Sequence, residues 1–402
     1  MFDVIVVGAR VAGSPTAMLL ARYGHRVLLV DRAAFPSDVI STHLLHVPAV
    51  ADLHRWGLLD RVAASGCPPH RSFTMDFGEF AITGPPPPVD GIATPYCVRR
   101  TVLDTILAEA AVEAGAEVRH RFTVDELVRE DGVVTGVRGR GHDGRSLVER
   151  ARLVVGADGL HSMVARQVGA ARYAETPALT AGYYTYYPNV SADGAQIYSR
   201  GDRSVVVFPT NDGLACVFVA CPAAQFHAFR ADIEGSYLAA IERVPQLAAQ
   251  VRASRPAERI RGTADLPNFF RQAHGPGWAL VGDAGYHKDP CLASGITDAF
   301  TSARLLADAV HAGLTGVQPM DRALAGYAAR RDARFLPYLQ LTCQLATMEP
   351  LAPPTAALFR SIAASPAECT RFFGALQGST PLDAYFAPDN IGRIMATGDR
   401  GR

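Results

Sequence analysis

The first thirty residues follow a pattern that few folds accommodate. An apolar run, FDVIVVG, ends at Gly8, an apolar stripe at helical spacing covers residues 12–23, and Gly24 follows. A second apolar run from Arg26 to Val30 then ends at Asp31. Continuous apolar runs indicate strands buried on both faces, as in parallel sheets. The pattern therefore predicts a strand-helix-strand unit inside an α/β fold.

The turn between the first strand and the helix reads GARVAG, from Gly8 to Gly13. A pyrophosphate needs close backbone approach and the free N–H groups of a helix N-terminus. Gly8 and Gly13 meet the first need, whereas Arg10 stands where a glycine is usual. Asp31 lies at the end of the second strand, where a carboxylate accepts hydrogen bonds from an adenosine ribose. We predict a dinucleotide site here rather than an ordinary tight turn.

Composition and charge exclude several classes of protein. The chain has 402 residues, of which 49% are hydrophobic and 19% charged, so it has ample material for a large core. Its 39 basic residues balance its 39 acidic ones, which argues against nucleic-acid or anionic-membrane partners. The sequence has neither a secretory signal pattern nor an apolar run of about 18 residues, so we expect a cytoplasmic protein without a membrane span.

The cysteines suggest neither a disulfide framework nor a metal site. Seven cysteines are scattered along the chain and form no CxxC pair. A zinc site or a stapled scaffold would require closer and more regular spacing. We expect free thiols in a reducing compartment and no bound metal.

Further along the chain, local patterns predict both parallel and antiparallel strands. Residues 116–155 contain the hairpin signals Asp131-Gly132 and Asp143-Gly144, which indicate a small antiparallel meander. The runs RLVVG (152–156) and WALVG (278–282) are typical of buried parallel strands. The parallel sheet is thus expected to collect strands that are far apart in sequence.

A second sheet and a helical end complete the predicted organisation, which is mixed α/β. Residues 179–221 alternate aromatic and β-branched residues, which favours an antiparallel sheet. The segment 73–95 is too rich in proline for a central strand and is expected to link the two bodies. The predicted domains are a discontinuous Rossmann-like nucleotide-binding domain (1–72, 96–172 and 262–345), an inserted antiparallel-sheet substrate domain (73–95 and 173–261) and a C-terminal helical segment (346–402).

Two further motifs place small residues and carboxylates where strands end. VVGADGLHSMVAR (154–166) runs from a strand through Asp158-Gly159 into a helix, and LVGDAGYHKDPCLASGITDAF (280–300) runs through Asp283 to a helix that opens at Gly295. A carboxylate at a strand end binds polyol hydroxyls, and amides at a helix N-terminus stabilise negative charge. Both are properties that a reduced flavin requires.

With these elements in this order, and with Arg100-x-x-Leu103 opening a helix between them, residues 1–345 resemble the FAD-dependent monooxygenases of the aromatic-hydroxylase type, similar to para-hydroxybenzoate hydroxylase. The resemblance implies that Asp31 holds the adenosine ribose, Val124 lies against the adenine and Asp283 binds the ribityl chain. It places Pro290 to Ile296 at the isoalloxazine edge. The FAD-binding residues that it implies are Gly8, Gly13, Asp31, Arg32, Arg100, Val124, Asp158, Gly159, Asp283, Pro290, Gly295 and Ile296.

The resemblance also implies the chemistry. NAD(P)H reduces the flavin, oxygen forms a C4a-hydroperoxide, and a small aromatic or other electron-rich metabolite is oxygenated. A base assists such reactions, and His43 and His287 are the candidates, although each is also typical of a structural histidine. Of the tyrosines at 183, 184, 186 and 187, only one alternating pair can face a pocket, because neighbouring residues of a strand point to opposite faces.

Two other functions remain open for such a chain, and the oligomeric state is not predicted. One is a flavin-dependent reductase or dehydrogenase similar to geranylgeranyl reductases, and the other is an FAD-binding protein without turnover. Halogenation is disfavoured, because halogenase relatives carry paired tryptophans and Trp56 and Trp278 lie far apart. Lys288, the only lysine of the chain, is either a cation near reduced flavin or the nicotinamide phosphate, or a solvent-exposed residue.

Overall fold

A computed structural model describes residues 1–41 and 43–398, with side chains up to residue 396. The strands are β1 (Phe2–Val7), β2 (Val27–Asp31), β3 (Leu44–Leu45), β4 (Phe73–Asp76), β5 (Ala81–Gly84), β6 (Tyr96–Cys97), β7 (Glu117–His120), β8 (Thr123–Glu130), β9 (Val133–Arg140), β10 (Ser146–Gly156), β11 (Arg172–Thr176), β12 (Thr180–Pro188), β13 (Ala195–Arg200), β14 (Arg203–Pro209), β15 (Leu214–Pro222), β16 (Arg261–Thr263), β17 (Asn268–Arg271), β18 (His274–Gly275), β19 (Trp278–Leu280) and β20 (Tyr286–His287). The helices are α1 (Gly13–Arg22), α2 (Val47–Arg55), α3 (Leu59–Ala64), α4 (Arg100–Glu113), α5 (Met163–Gln167), α6 (Phe226–Ala231), α7 (Ile233–Ile241), α8 (Pro245–Arg252), α9 (Gly295–Leu314), α10 (Met320–Ala346), α11 (Pro353–Ala363), α12 (Pro366–Gln377), α13 (Leu382–Tyr385) and α14 (Pro388–Gly398).

The predicted strand-helix-strand unit forms the centre of a sheet in the order β18-β19-β10-β1-β2-β7. β1 pairs in parallel with β2 on one side and with β10 on the other, and β19 pairs in parallel with β10. The apolar runs are buried because α1, α4 and α9 cover one face of this sheet and the β8-β9 hairpin covers the other. The mixed α/β fold class is confirmed.

β10 belongs to two sheet regions at once. Its first half pairs antiparallel with β9, and its second half pairs in parallel with β1. The β8-β9 hairpin turns at Asp131 and Gly132, whose φ angles of +48° and +81° suit a tight two-residue hairpin. The predicted meander is confirmed, and it continues directly into the parallel sheet.

The second sheet has the order β16-β12-β15-β14-β13-β4-β5. The alternation of β12 sends Tyr184 and Tyr186 to one face, and Tyr183 and Tyr187 to the other, where α7 and α8 pack. Residues 73–84, which were expected to link the two bodies, form the β4-β5 hairpin of this sheet. The hairpin lies at the sheet edge, where the Pro85–Pro88 tract that follows β5 breaks no ladder.

The C-terminal helices cover the face of the second sheet that carries Tyr184 and Tyr186. Leu358 and Phe359 of α11, and Phe372 and Phe373 of α12, share one apolar core with this face. In the described ranges, no helix is both long enough and apolar enough to cross a membrane.

Candidate functional site

A cavity of about 670 Å³ lies at the carboxyl ends of the parallel strands and reaches the second sheet. Sites in open α/β sheets form at this edge, because the strand-to-helix turns converge there. Of the residues singled out from the sequence, those that line it are Gly8, Asp31, Arg32, Arg100, Val124, Asp158, Gly159, Asp283, His287, Pro290, Gly295 and Ile296. Gly13 and His43 are not at the cavity wall.

The glycine turn is packed so closely that neither of its glycines tolerates a side chain. Gly8 has a φ of +104°, and a Cβ there would lie 2.4 Å from the carbonyl oxygen of Ala157. A Cβ on Gly13 would lie 1.7 Å from the carbonyl oxygen of Gly8. The two glycines therefore let the start of α1 approach β1 and β10, which places backbone at the cavity wall.

Asp31 stabilises this turn from the end of β2. One carboxylate oxygen accepts a hydrogen bond of 2.7 Å from the Ala9 N–H, and the other accepts one of 2.7 Å from the Ala33 N–H. The neighbouring Arg32 is exposed at the cavity wall and has no hydrogen bond or ion pair to the described residues. Its guanidinium is available to an anionic ligand.

Arg10, which stands where a glycine is usual, is paired with a buried carboxylate. Arg10 Nη1 donates to Asp104 at 2.7 Å, and Arg10 Nη2 donates to Ser37 Oγ at 2.7 Å. Arg100 binds the same carboxylate through Nε at 2.9 Å and Nη2 at 3.0 Å. Asp104 thus joins the glycine turn to α4, and its two ion pairs leave it fully buried without an uncompensated charge.

Asp158 caps α5. Its Oδ1 accepts a bond of 2.5 Å from Ser162 Oγ, and its Oδ2 accepts bonds from the N–H groups of Met163 and Val164. Burial raises the pKa of Asp158, although these donors oppose that rise. The side chain fixes the loop that carries Gly159 at the cavity wall.

The loop after β19 brings a free carboxylate to the cavity. Asp283 lies in a 3₁₀ turn (Gly282–Ala284), is exposed, and has no hydrogen bond or ion pair to the described residues. The loop is held from behind by Arg331 of α10, which is 1% exposed. Arg331 donates to the carbonyl oxygens of Gly285 at 3.1 Å and Arg271 at 2.9 Å, and to Tyr173 Oη at 2.8 Å.

The same loop ends at the N-terminus of α9. Asp289 accepts a bond of 2.5 Å from Thr180 of the second sheet, and its N–H donates to Asn268 at 2.8 Å. At Gly295, the first residue of α9, the position of a Cβ has no neighbouring atom within 4 Å, so it points into open space. The first amides of a 20-residue helix therefore border the cavity, where they favour negative charge.

The second sheet contributes an apolar wall. Gly182, Tyr184, Phe218, Thr263 and Leu266 line the same cavity as the loop. A Cβ on Gly182 would meet the Phe218 ring at 2.6 Å, so this glycine makes room for the ring. The wall has no charged side chain among these residues, which suits a flat apolar ligand.

His43 packs against Tyr184 and Tyr186, on the same face of β12, and does not line the cavity. It is fully buried, its Nε2 contacts Tyr186 Oη, and its ring meets the Tyr184 ring edge-on with centroids 5.9 Å apart. Its Nδ1 has no hydrogen-bond partner among the described residues. Burial, and then the cations Arg100 and Arg99, lower the pKa of His43 to about 3. His43 is therefore neutral at physiological pH, and its role as a base stays a prediction.

His287 lies at the cavity wall. Its Nδ1 contacts the carbonyl oxygen of Pro267, which only accepts, so in the neutral ring Nδ1 carries the proton and Nε2 has the lone pair. The ring stacks against Phe269. Of the two histidines predicted from the sequence, His287 is the one that the structure brings to the cavity.

The sequence did not predict several residues that shape the site. Asp104 and Arg331 lie in ordinary helical patterns. No neighbouring sequence motif indicates that Asp104 binds Arg10 of the glycine turn or that Arg331 binds the loop after β19. Strand alternation predicts that Tyr184 and Tyr186 share a face of the sheet, but it does not predict that this face borders the cavity. Within the described residues, no group of three or more His, Cys, Asp or Glu side chains is placed to hold a metal ion.

The family follows from the match over the whole cavity-bearing part of the chain. Residues 1–340, which supply all the predicted cofactor residues, match the family described as "FAD binding domain". The chain belongs to this FAD-binding family. Its cofactor is therefore FAD, as predicted, whereas the finer assignment to the para-hydroxybenzoate hydroxylase type is not decided by this match.

Similar proteins within this fold catalyse different reactions. The chain is 26% identical over 338 residues to a digeranylgeranylglycerophospholipid reductase of Methanocella arvoryzae, covering 80% of this chain and 81% of the reductase. The structure of the myxobacterial chondrochloren halogenase has a TM-score of 0.80 at 24% identity, covering 100% of this chain and 97% of that one. PqsL of Pseudomonas aeruginosa, named a probable FAD-dependent monooxygenase, has a TM-score of 0.74 at 23% identity, covering 86% and 96%. The two structural matches show the shared fold.

The cavity fits FAD in its shape and in its free polar groups. The close-packed glycine turn, in which a Cβ on Gly8 or Gly13 would collide with backbone, brings the backbone of Gly8 to the cavity wall, where it admits contact with a pyrophosphate. Arg32 and Asp283 are exposed at the wall and have no partner among the residues that the structure describes. The start of α9 faces open space at Gly295. These are the residues that would hold the adenosine half, the ribityl chain and the flavin ring system.

Two buried histidines make the stability of the protein depend on pH. Burial lowers the pKa of His43 to about 3 and that of His46 to about 4, both from an ordinary value near 6.5. Below about pH 6.5 these two histidines take up protons in the unfolded chain but not in the folded protein. Their contribution to the free energy of unfolding is therefore complete above that pH and decreases as the pH falls towards 4. We expect the free energy of unfolding to drop by about 2 kcal/mol per histidine between pH 7 and pH 5.

Urea unfolding at several pH values measures this loss. His46→Gln can retain a donor to the Leu292 carbonyl oxygen, which His46 Nε2 now contacts at 2.9 Å, while removing the titration. We expect the variant to lose about 2 kcal/mol less than the parent over the same range. An identical pH dependence in the two proteins would show that His46 does not contribute.

Proposed function

We propose that the protein is an FAD-dependent monooxygenase of the aromatic-hydroxylase type, which uses NAD(P)H and oxygen to oxygenate a small aromatic or other electron-rich metabolite. The observation that carries this proposal is the apolar wall that shares one cavity with the Pro290–Ile296 loop. A flat ring between Phe218 and that loop would lie beside the flavin. The absence of charge on the wall residues Gly182, Tyr184, Phe218, Thr263 and Leu266 favours an apolar substrate.

FAD would supply the redox chemistry of the proposed reaction, and the chain would position the substrate, exclude water and accept a proton. When bound, FAD supplies the redox chemistry and the activation of oxygen. The chain positions the substrate with Tyr184 and Phe218, and the C-terminal helices cover the face of the sheet that carries these two residues, which shields that face from water. His287 Nε2 is the acceptor at the wall that is available to take a proton from a substrate hydroxyl.

A second candidate function is a flavin-dependent reduction of a carbon–carbon double bond. It is favoured by the similarity to the archaeal reductase over four-fifths of this chain. The same apolar wall would accept an alkene. A third possibility, FAD binding without turnover, is distinguished by the same experiment.

We expect substrate-dependent oxygen uptake when the purified FAD-loaded protein is given NADH or NADPH with a panel of phenols, anilines and alkenes. A product that gains one oxygen atom supports the monooxygenase. Anaerobic reduction of an alkene supports the reductase instead. Bromide or chloride in a parallel series detects halogenation by product mass, and FAD without stimulated turnover indicates a binding protein.

A pair of glycine variants tests whether the apolar wall binds the substrate. Gly182→Ala pushes against Phe218, which lies in the cavity wall, and should raise the KM for the substrate several-fold. Gly262→Ala is the matched control, because its Cβ would meet the Tyr183 ring at 2.2 Å on the opposite face. Equal effects of the two variants on KM would place the substrate elsewhere.

A further inference from the structure

The single lysine of the chain is buried at the cofactor cavity. Lys288 is 8% exposed, lines the cavity, and its Nζ is paired with Asp298. The ammonium also lies 5.2 Å from the ring centre of Tyr286 and 5.8 Å from that of Tyr338. These rings and the carboxylate hold the cation in place, so the expectation that it is a solvent-exposed residue is wrong.

Its partner Asp298 also lines the cavity, in the first turn of α9. The turn begins at Gly295, where the helix faces open space. FAD carries negative charge on its pyrophosphate, and its reduced state carries more. An unpaired carboxylate at this place would repel that charge in a partly dry cavity, where charges are weakly screened.

We propose that Lys288 is a positioning residue that neutralises Asp298 and thereby raises the reduction potential of the bound FAD. Because the ammonium neutralises the carboxylate in the first turn of α9, that carboxylate does not weaken the binding of the reduced, anionic cofactor. This inference needs FAD binding alone, and it stands or falls independently of the proposed monooxygenation.

The inference makes opposite predictions for the two members of the pair. Reduction adds two electrons and one proton to FAD, with dithionite as the reductant and a dye of known potential as the reference. Lys288→Met leaves Asp298 unpaired, so reduced FAD should bind about tenfold more weakly relative to oxidised FAD, which lowers the two-electron potential by about 30 mV. Asp298→Asn leaves the ammonium unpaired and should raise the potential.

The double variant Lys288→Met/Asp298→Asn distinguishes neutralisation of Asp298 by Lys288 from a direct effect of Lys288 on the cofactor. If Lys288 acts by neutralising Asp298, the double variant has a potential close to that of the parent. A double variant that stays as low as Lys288→Met overturns the proposal, because the lysine then acts on the cofactor itself. A potential unchanged in both single variants overturns it as well.

Two controls keep the test decisive. Lys288→Arg preserves the charge and should restore the potential of the parent, and the affinity for oxidised FAD is measured for every variant by fluorescence titration. Should Lys288→Met fail to hold FAD, Asp298→Asn carries the test by itself. A raised potential in that variant supports the proposal, and an unchanged or lowered one overturns it.

Discussion

Gly13→Ala should weaken FAD binding by about 100-fold. A Cβ at this position would lie 1.7 Å from the carbonyl oxygen of Gly8 and 3.0 Å from the Cβ of Ala157, so the start of α1 must move away from the turn. Backbone shifts of this kind cost about 1–3 kcal/mol, and about 2.7 kcal/mol corresponds to a 100-fold loss of affinity. Fluorescence titration of the apoprotein with FAD measures the effect.

Gly326→Ala serves as the matched control for that variant. Gly326 lies inside α10, has no atom within 4 Å of its Cβ position, and adopts no left-handed conformation. Alanine there should leave FAD affinity unchanged and stabilise the helix by about 0.5–1 kcal/mol. If Gly13→Ala bound FAD as tightly as Gly326→Ala, the glycine turn would not be the pyrophosphate site.

Arg331→Met should cost about 3–5 kcal/mol of folding free energy. The guanidinium donates to the carbonyl oxygens of Gly285 and Arg271, to Tyr173 Oη and to Asp332, and all of these contacts are lost. Buried acceptors that lose their donor carry the full cost of desolvation. Chemical denaturation of the apoprotein measures the loss.

The neighbouring Arg330 provides the control for Arg331. Arg330 is exposed, and its Nε donates one long bond of 3.3 Å to the Gly326 carbonyl oxygen. Arg330→Met should therefore change stability by less than about 0.5 kcal/mol. We also expect weaker FAD binding in Arg331→Met alone, since Gly285 belongs to the loop that presents Asp283. Equal stability of the two variants would contradict the role assigned to Arg331.

Much of the cofactor cavity could be predicted from the sequence, because its parts are continuous segments. The turn at Gly8 to Gly13 and the loop from Asp283 to Gly295 each combine a buried strand, small residues and a helix start within a short stretch. The carboxyl ends of parallel strands meet at one edge, so such segments converge without further information. All the predicted cofactor residues except Gly13 line the cavity, while their individual contacts with FAD stay predictions.

The two predicted catalytic histidines show where this reasoning ends. His43 and His287 have equally suggestive sequence contexts, yet His43 is buried against Tyr184 and does not line the cavity, whereas His287 reaches the wall. The difference depends on how the loop before β3 packs on the second sheet. No local pattern records that packing, because the contact between His43 and Tyr186 joins residues 143 positions apart.

Periodicity and turn chemistry are enough to predict the α/β class, a dinucleotide-binding turn and the alternation that divides the tyrosines of β12 into two pairs, because they act between residues close in the chain. The resemblance to a known family added FAD as the cofactor. The fold was needed to show which pair faces the cavity, that Asp104 joins Arg10 to Arg100, and that Lys288 is buried against Asp298. Such pairings depend on the packing of whole elements against each other, and burial then imposes a partner on each charge.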